Sequence, residues 1–340
     1  MNVLVTGGTG FIGSHTVVEL QKKGFNVFII DNLSNSRPEV VDAITEVTGI
    51  RPYFYEFDIC QKEKISDFFQ QHTIHAMVHF AAHKAVGESV EKPLMYYRNN
   101  IVSLLNLLDQ CVASPHPIHL VFSSSCTVYG EPDYLPVDEK APIKPAESPY
   151  GNTKKMSEDI IRDTSRACHN KAIALRYFNP VGAHDSALIG EYPLGRPNNL
   201  MPIITQTAIG KLAGFNIFGN DYDTPDGSCI RDYIHVVDLA RAHVVAIERM
   251  IHNKNKTDYE VFNIGTGNGI SVVEMVAAFE KMTGEKLNYT IAARRAGDVV
   301  KVFADTKLAN EELGWKAELN LEDMVKSAWA WEQKLKEKGL

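Results

Sequence analysis

The sequence predicts an α/β fold: a doubly wound parallel sheet, followed by a smaller C-terminal α+β domain that would take a substrate. Two observations carry this. Through the first half, short apolar runs alternate with helical segments of roughly 12–20 residues, and buried strands spaced in that way call for a parallel sheet covered on both faces. Beyond Asn179 the alternation loosens, with Pro180, Gly182, Pro193, Gly195 and Pro197 interrupting the chain.

Taken in order, Asn2–Thr6 is a short apolar strand, and the segment near Ile12–Lys23 is the first helix. Strands are expected at Phe25–Ile30, Tyr53–Phe57 and Ala76–Ala81, then a long helix near Tyr96–Ala113 and a strand at Ile118–Phe122. A helix carrying Tyr150 follows, and after it the strand Ala172–Arg176. Residues 1–178 are therefore read as a dinucleotide-binding domain and residues 179–340 as the substrate domain. The helix near His235–Met250 and the strand Val261–Ile264 are expected to pack back on the first domain, so that about 233–266 joins it in space.

The 340 residues are 44% hydrophobic and 23% charged, which suits a globular enzyme. A net charge of −7 without any basic run makes nucleic acid an unexpected partner. The opening residues show no charged n-region or cleavage site, and no apolar run approaches the ~20 residues of a membrane span. Five cysteines without a C-x-x-C pair fit a reduced, cytoplasmic chain with no membrane partner.

Gly7, Gly10 and Gly13 bracket Phe11 and Ile12 directly between the first strand and the first helix. Glycines here let the backbone turn tightly and approach a pyrophosphate, which then sits on the free N–H groups of the helix N-terminus. Asp31 follows Gly13 by eighteen residues, at the end of the second strand. A carboxylate there bonds the adenosine ribose and repels a 2′-phosphate, which favours NAD and a Rossmann-type sheet. Arg37 is near enough in sequence to keep NADP open, and Asp58, ending the third strand, is expected near the adenine.

Tyr150 and Lys154 are four residues apart, which puts them on one helix face with Cβ atoms ~5–6 Å apart. A lysine ammonium ~5 Å from a phenol, at an effective dielectric of ~20, favours the phenolate by ~3 kcal/mol, or about two pK units. Such a tyrosine can take the proton of a sugar hydroxyl while the adjacent carbon gives up hydride. Thirteen tyrosines make Y-x-x-x-K weak alone; behind a glycine loop, with Ser125 one element upstream, it is strong. His75, His79 and His83 share a four-residue spacing but straddle a strand, where four residues span ~13 Å, too far for one metal ion. Cys126 beside Ser125 reads as a small buried residue.

The stretches Met1–Gly13, Val86–Val90, Ser123–Gly130, Ser148–Gly151 and Arg176–Ala183 resemble the UDP-glucose 4-epimerase family, in the extended short-chain dehydrogenase/reductase group. Pro197–Pro202, Phe218–Tyr222, Arg231–Val236 and Arg294–Asp298 extend the resemblance along the whole chain. It implies that Tyr150 removes the sugar O4 proton, Lys154 holds the nicotinamide ribose and lowers the Tyr150 pKa, and Ser125 bonds O4. By the same resemblance Asn32, Ile59, Phe80, Ala81, Lys84, Asn99 and Phe178 fall where NAD is bound. Asn179, Asn199, Leu200, Phe218, Arg231, Arg295 and Asp298 fall where uridine diphosphate is held. A homodimer joined through the helices near Tyr96–Ala113 and Tyr150–Ala167 is implied as well. His83 stands where the family commonly has leucine, Cys126 where it has alanine, and Ala296 where it has glutamate.

The same fold runs dehydratases and decarboxylases on nucleotide sugars, so the site has to decide. Related dehydratases carry acidic residues right after the catalytic Ser or Thr, whereas this chain has Cys126 and Thr127. Reversible oxidation at C4 of a UDP-hexose remains, interconverting UDP-glucose and UDP-galactose. Another NAD-dependent nucleotide-sugar enzyme is the alternative, or a non-catalytic NAD sensor, which would have no need of Tyr150. Four residues beyond Asp298, Val302 takes the place that the resemblance gives to a tyrosine in enzymes restricted to the plain sugars. A small residue there implies room for the acetamido group of UDP-GlcNAc and UDP-GalNAc.

Overall fold

In a computed structural model that describes residues 1–168, 170–295 and 298–340, the apolar run Asn2–Thr6 forms β1, with Val3, Leu4 and Val5 fully buried. Asn26–Asp31 (β2), Tyr53–Glu56 (β3), Ala76–His79 (β4), His119–Ser125 (β5) and Ala172–Tyr177 (β6) join it in one parallel sheet. Asn179–Val181 (β7), Phe215–Phe218 (β8) and Ile230–His235 (β9) lie outside that sheet, but Tyr259–Ile264 (β10) returns to it and pairs with β6. The order is β3-β2-β1-β4-β5-β6-β10. After β3 the chain crosses to the far side of β1, so the switch point lies between β1 and β4, where open α/β sheets bind ligands at their carboxyl ends.

Successive residues of β1 serve opposite faces, as a pleated strand requires. Val3 and Val5 join one core with Val17, Val18 and Leu20 of helix α1 (Phe11–Lys22) and with Ile44 of α2 (Glu39–Thr48). Leu4 joins the other, with Ile65 and Phe68 of α3 (Lys62–Gln71). The short helices α4 (Val86–Glu91) and α5 (Pro93–Tyr97) lead through a π-helical turn, Arg98–Val102, into α6 (Ser103–Ala113). The single helix expected near Tyr96–Ala113 is thus interrupted, and it starts at Pro93, whose missing N–H costs nothing at a first helical position. Helix α7 (Pro149–Cys168) covers the same face as α3 and α6, through Ile161.

Helix α8 (Leu200–Ala208) opens the second part of the chain. Helix α9 (Val236–Ile251) packs Leu239, Ala242 and Ile247 into the α1 face of the large sheet. In the second part, β9 pairs with β7, with β11 (Gly269–Ser271) and, after α10 (Val272–Thr283), with β13 (Lys301–Val302). β12 (Tyr289–Ala292) pairs with β8. Met201, Ile204, Tyr233, Phe279 and Met324 gather here into a separate core closed by α11 (Leu321–Glu337). A small cluster holding Val128, Tyr129, Phe178 and Val302 joins the two parts.

Candidate active site

β1 ends in the glycine loop, which is packed so closely that side chains are excluded. A Cβ on Gly13 would lie 2.2 Å from the Gly7 carbonyl oxygen, and one on Gly7, at φ +71°, would lie 2.8 Å from the Ala81 nitrogen. Gly10 precedes α1 and no side chain caps the helix, so Phe11, Ile12 and Gly13 offer their N–H groups to an anion. The Asp31 carboxylate, nearly buried, accepts the N–H groups of Thr9 (3.2 Å) and Leu33 (2.9 Å) and the Ser36 hydroxyl (3.3 Å). Its negative charge thus sits at the loop, as an adenosine-ribose acceptor requires. A tight loop, an uncapped helix and a fixed carboxylate fit a dinucleotide.

Most of the other residues expected around a cofactor follow the carboxyl ends of β2, β3, β4 and β6. Asn32 is exposed at the end of β2, and Asp58, beyond β3, accepts the Cys60 N–H at 2.8 Å. Ile59 is buried and Phe80 packs on the His243 ring. Asn99 donates to Asn100 from the π-helical turn, and Lys84 reaches Glu191 at 3.6 Å. Phe178 is buried beside Val302.

Ser148 accepts the Gly151 N–H at 3.2 Å and fixes the first turn of α7. Tyr150, Lys154 and Glu158 then share one face at intervals of four. Lys154, 5% exposed, donates to the Ser123 carbonyl at 2.5 Å, and its nitrogen lies 5.8 Å from the Tyr150 ring centre. Burial pulls the Lys154 ammonium down to about 7, opposed by the Glu158 carboxylate. Burial pushes the Tyr150 phenol up to about 12, with the Ser125 hydroxyl working the other way. Burial is the largest influence on the Tyr150 phenol, and the Lys154 ammonium directs its proton at a backbone carbonyl.

β5 runs three residues further than expected and delivers Ser125 at its carboxyl end. The Ser125 oxygen accepts both the Thr127 N–H (3.2 Å) and the Thr127 hydroxyl (3.0 Å), which leaves its own proton free to donate. The neighbouring Cys126 thiol is pushed up to about 12, by burial before all else, and is no nucleophile at neutral pH. Among the described residues no cluster of three His, Cys, Asp or Glu side chains is placed to hold a metal ion. His75 and His79 instead bond Asn2 and Thr6 of β1.

The second part contributes a cationic corner. Arg295 grips Asp298 (2.6 and 3.2 Å), and Arg231 approaches the same oxygen at 3.9 Å. The Arg295 guanidinium lies 5.6 Å from the centre of the half-exposed Phe218 ring. Val302 pairs in register with Arg231 and is 6% exposed. Asn179 lies on β7, Asn199 bonds Glu191, and Leu200 starts α8. Ala296, one of the departures from the family pattern, lies outside the described residues.

Three contributors were missed in the sequence. Glu158 holds Arg176 through two bonds (2.9 and 2.6 Å) and accepts the Ser124 hydroxyl at 2.5 Å, all of it buried. Its spacing from Lys154 was the available signal. Thr127 could be found only as the second residue after Ser125, the offset of a serine turn. Asp232 accepts N–H groups of Thr266, Gly267 and Ala304 and orders the segments around Val302; its place in the stretch Arg231–Val236 was the available signal.

A family model described as GDP-mannose 4,6 dehydratase matches residues 4–328. A curated UDP-glucose 4-epimerase of Yersinia enterocolitica is 48% identical over 335 residues, covering 98% of both chains. The crystal structure of UDP-glucose-4-epimerase from Stenotrophomonas maltophila, with bound NAD and formylated UDP-arabinopyranose, superposes with a TM-score of 0.95 at 46% identity, covering 99% of each chain. That of Bifidobacterium longum, in complex with NAD+ and UDP, gives 0.94 at 44% identity and 98% coverage of each. The chain therefore belongs to the family that this model describes and, within it, to the UDP-glucose 4-epimerases.

Proposed function

We propose that the chain interconverts UDP-glucose and UDP-galactose by reversible oxidation at the sugar C4, with NAD as its coenzyme. The observation that carries this is the meeting of Ser125, Tyr150 and Lys154 at the carboxyl end of the sheet, in a chain of the epimerase family. NAD supplies the hydride acceptor and donor at C4. Tyr150 takes the O4 proton and returns it, and Ser125 donates its free proton to the same oxygen. Lys154 braces the tyrosine's helix against β5 and adds positive charge. Gly7, Gly10, Phe11, Ile12, Gly13 and Asp31 hold the dinucleotide, with Asn32, Asp58, Ile59, Phe80, Ala81, Lys84, Asn99 and Phe178 around it. Arg231 and Arg295 suit a diphosphate that stays bound throughout, since guanidinium forks bond its oxygens in pairs. Asn179, Asn199, Leu200, Phe218 and Asp298 complete that side.

A 4,6-dehydratase needs a further acid and base beside the serine. Cys126, with its raised thiol, and Thr127, tied to Ser125, supply neither. The reading extends to residues 1–178 as the NAD-binding domain, with 233–266 returned to it, and to residues 179–340 as the UDP-sugar domain. It extends also to a cytoplasmic homodimer: Leu105 and Val112 on α6 and Met156 on α7 are exposed apolar groups on neighbouring helices. No helix of the described residues is long and apolar enough to cross a membrane. Incubating the purified protein with UDP-galactose, without added NAD, should yield UDP-glucose. Denaturation of the same sample should release close to one NAD(H) per chain. Absence of UDP-glucose even with NAD supplied refutes the proposal.

A further inference from the structure

The segment Gly190–Tyr192 reaches the coenzyme side of the molecule at two points. The Glu191 carboxylate pairs with Lys84 at 3.6 Å, and the Tyr192 ring lies under the Arg37 guanidinium, 4.3 Å from its centre. Arg37 follows the carboxyl end of β2 and Lys84 follows that of β4. Those two strands flank β1, from which the glycine loop emerges. Two consecutive residues therefore grip both sides of the loop that would carry the pyrophosphate. Behind them the segment is anchored to α11. The Trp331 ring N–H donates to the Glu191 carbonyl at 2.9 Å, and the Tyr192 and Trp331 rings meet edge to face at 6.4 Å. A Cβ on Gly190 would fall 2.5 Å from the Trp331 ring, so the segment lies directly on the helix. Asn199, on the uridine-diphosphate side, donates to the same Glu191 carboxylate.

We propose that Glu191 and Tyr192 form a strap across the coenzyme groove that slows the escape of a bound dinucleotide, with Arg37 and Lys84 as its two fastening points. The proposal rests on the reading of this groove as an NAD site. It also gives Arg37 a role apart from a 2′-phosphate, because its guanidinium faces an aromatic ring. The strap is part of the second half of the chain, so the coenzyme is held by both halves at once.

The test is the rate at which holoenzyme gives up NAD, followed after dilution into an enzyme that consumes free NAD. Loss of a partly exposed cation–π contact should speed release about two- to fivefold in Tyr192→Ala. Glu191→Gln combined with Tyr192→Ala should reach roughly tenfold. Tyr192→Phe, which keeps the ring, should release NAD like the wild type. Adding Arg37→Gln to Tyr192→Ala should change little more, since both remove one contact. Release at the wild-type rate in both Tyr192→Ala and the Glu191/Tyr192 double variant overturns the strap, as does a wild type that retains no NAD. A wild type that retains NAD but leaves UDP-galactose unchanged removes the reaction assignment, and the strap is then judged on the release rates alone.

Discussion

Replacing Glu158 with alanine tests whether the helix that carries Tyr150 is held from behind. Glu158 is 6% exposed and Arg176 is 5% exposed. Two hydrogen bonds join them, and the Ser124 hydroxyl donates to the same carboxylate. Arg176 in turn donates to the Tyr129 hydroxyl at 2.8 Å, and Tyr129 donates to Asn263 of β10 at 2.7 Å. Glu158→Ala leaves a guanidinium in the interior without its counter-charge, and breaking one side of a buried pair costs about 3–5 kcal/mol. With a denaturant slope near the upper end of about 1–3 kcal/mol per molar urea, the unfolding midpoint should fall by about 1 M or more. The change should also reach the chemistry. Glu158 is the group that opposes the burial of Lys154, so its loss moves the ammonium below about 7 and shifts the alkaline limb of the pH–rate profile downward. An unfolding free energy within about 1 kcal/mol of the wild type would refute this reasoning, and so would an unmoved alkaline limb in the folded variant.

Tyr150→Phe should lower turnover of UDP-galactose by ~10²–10⁴-fold while leaving NAD bound, as measured by activity and by coenzyme release on denaturation. Gly13→Ala should abolish NAD retention in equilibrium dialysis, because the added methyl meets a backbone oxygen at 2.2 Å with nothing flexible to move aside. Burial lowers His15, His79 and His243 to about 3 and His235 to about 4, so each stays neutral in the fold while the unfolded chain protonates near ~6.5. Through these histidines stability should therefore fall as the pH drops below ~7, each withdrawing about 1.4 kcal/mol by pH ~5.5; equal urea midpoints at pH ~7 and pH ~5.5 would contradict this. Val302→Tyr should depress turnover of UDP-GalNAc far more than that of UDP-galactose, and equal losses on both would remove this position from the control of sugar size.

How much of this was legible depended on the range of the signal. β1, its glycine loop and Asp31 could be read because each is local: an apolar run, a turn that excludes Cβ atoms, and a carboxylate at a strand end. β9 could not, since Ile230–His235 carries Arg231 and Asp232 at its centre and resembles a surface segment. Its polar groups find partners only when the chain returns at Thr266, Gly267 and Ala304. Glu158 shares its face with Tyr150 and Lys154, yet a helical carboxylate ordinarily faces water, and Arg176 on β6 gave no hint of pairing. The contact between Tyr192 and Arg37 joins the two halves of the chain across a loop, where no periodicity exists to be read.

The pair Tyr150 and Lys154 shows what spacing can and cannot say. Four residues on a helix bring two side chains to one face, and the Coulomb term then follows from a distance and a dielectric. Neither states where the ammonium points or how much water the phenol loses. Here Lys154 directs a hydrogen bond at the Ser123 carbonyl, two residues before Ser125 on the same strand. That bond ties α7 to β5 at the point where the strand delivers the serine and the helix delivers the tyrosine. In the proposed reaction that bond makes position the first role of Lys154 and charge the second. The two roles separate experimentally: Lys154→Met removes both, whereas Lys154→Arg keeps the charge but not a compact ammonium able to enter that site. Recovery of turnover by arginine would assign the residue to charge, and its absence assigns the residue to position.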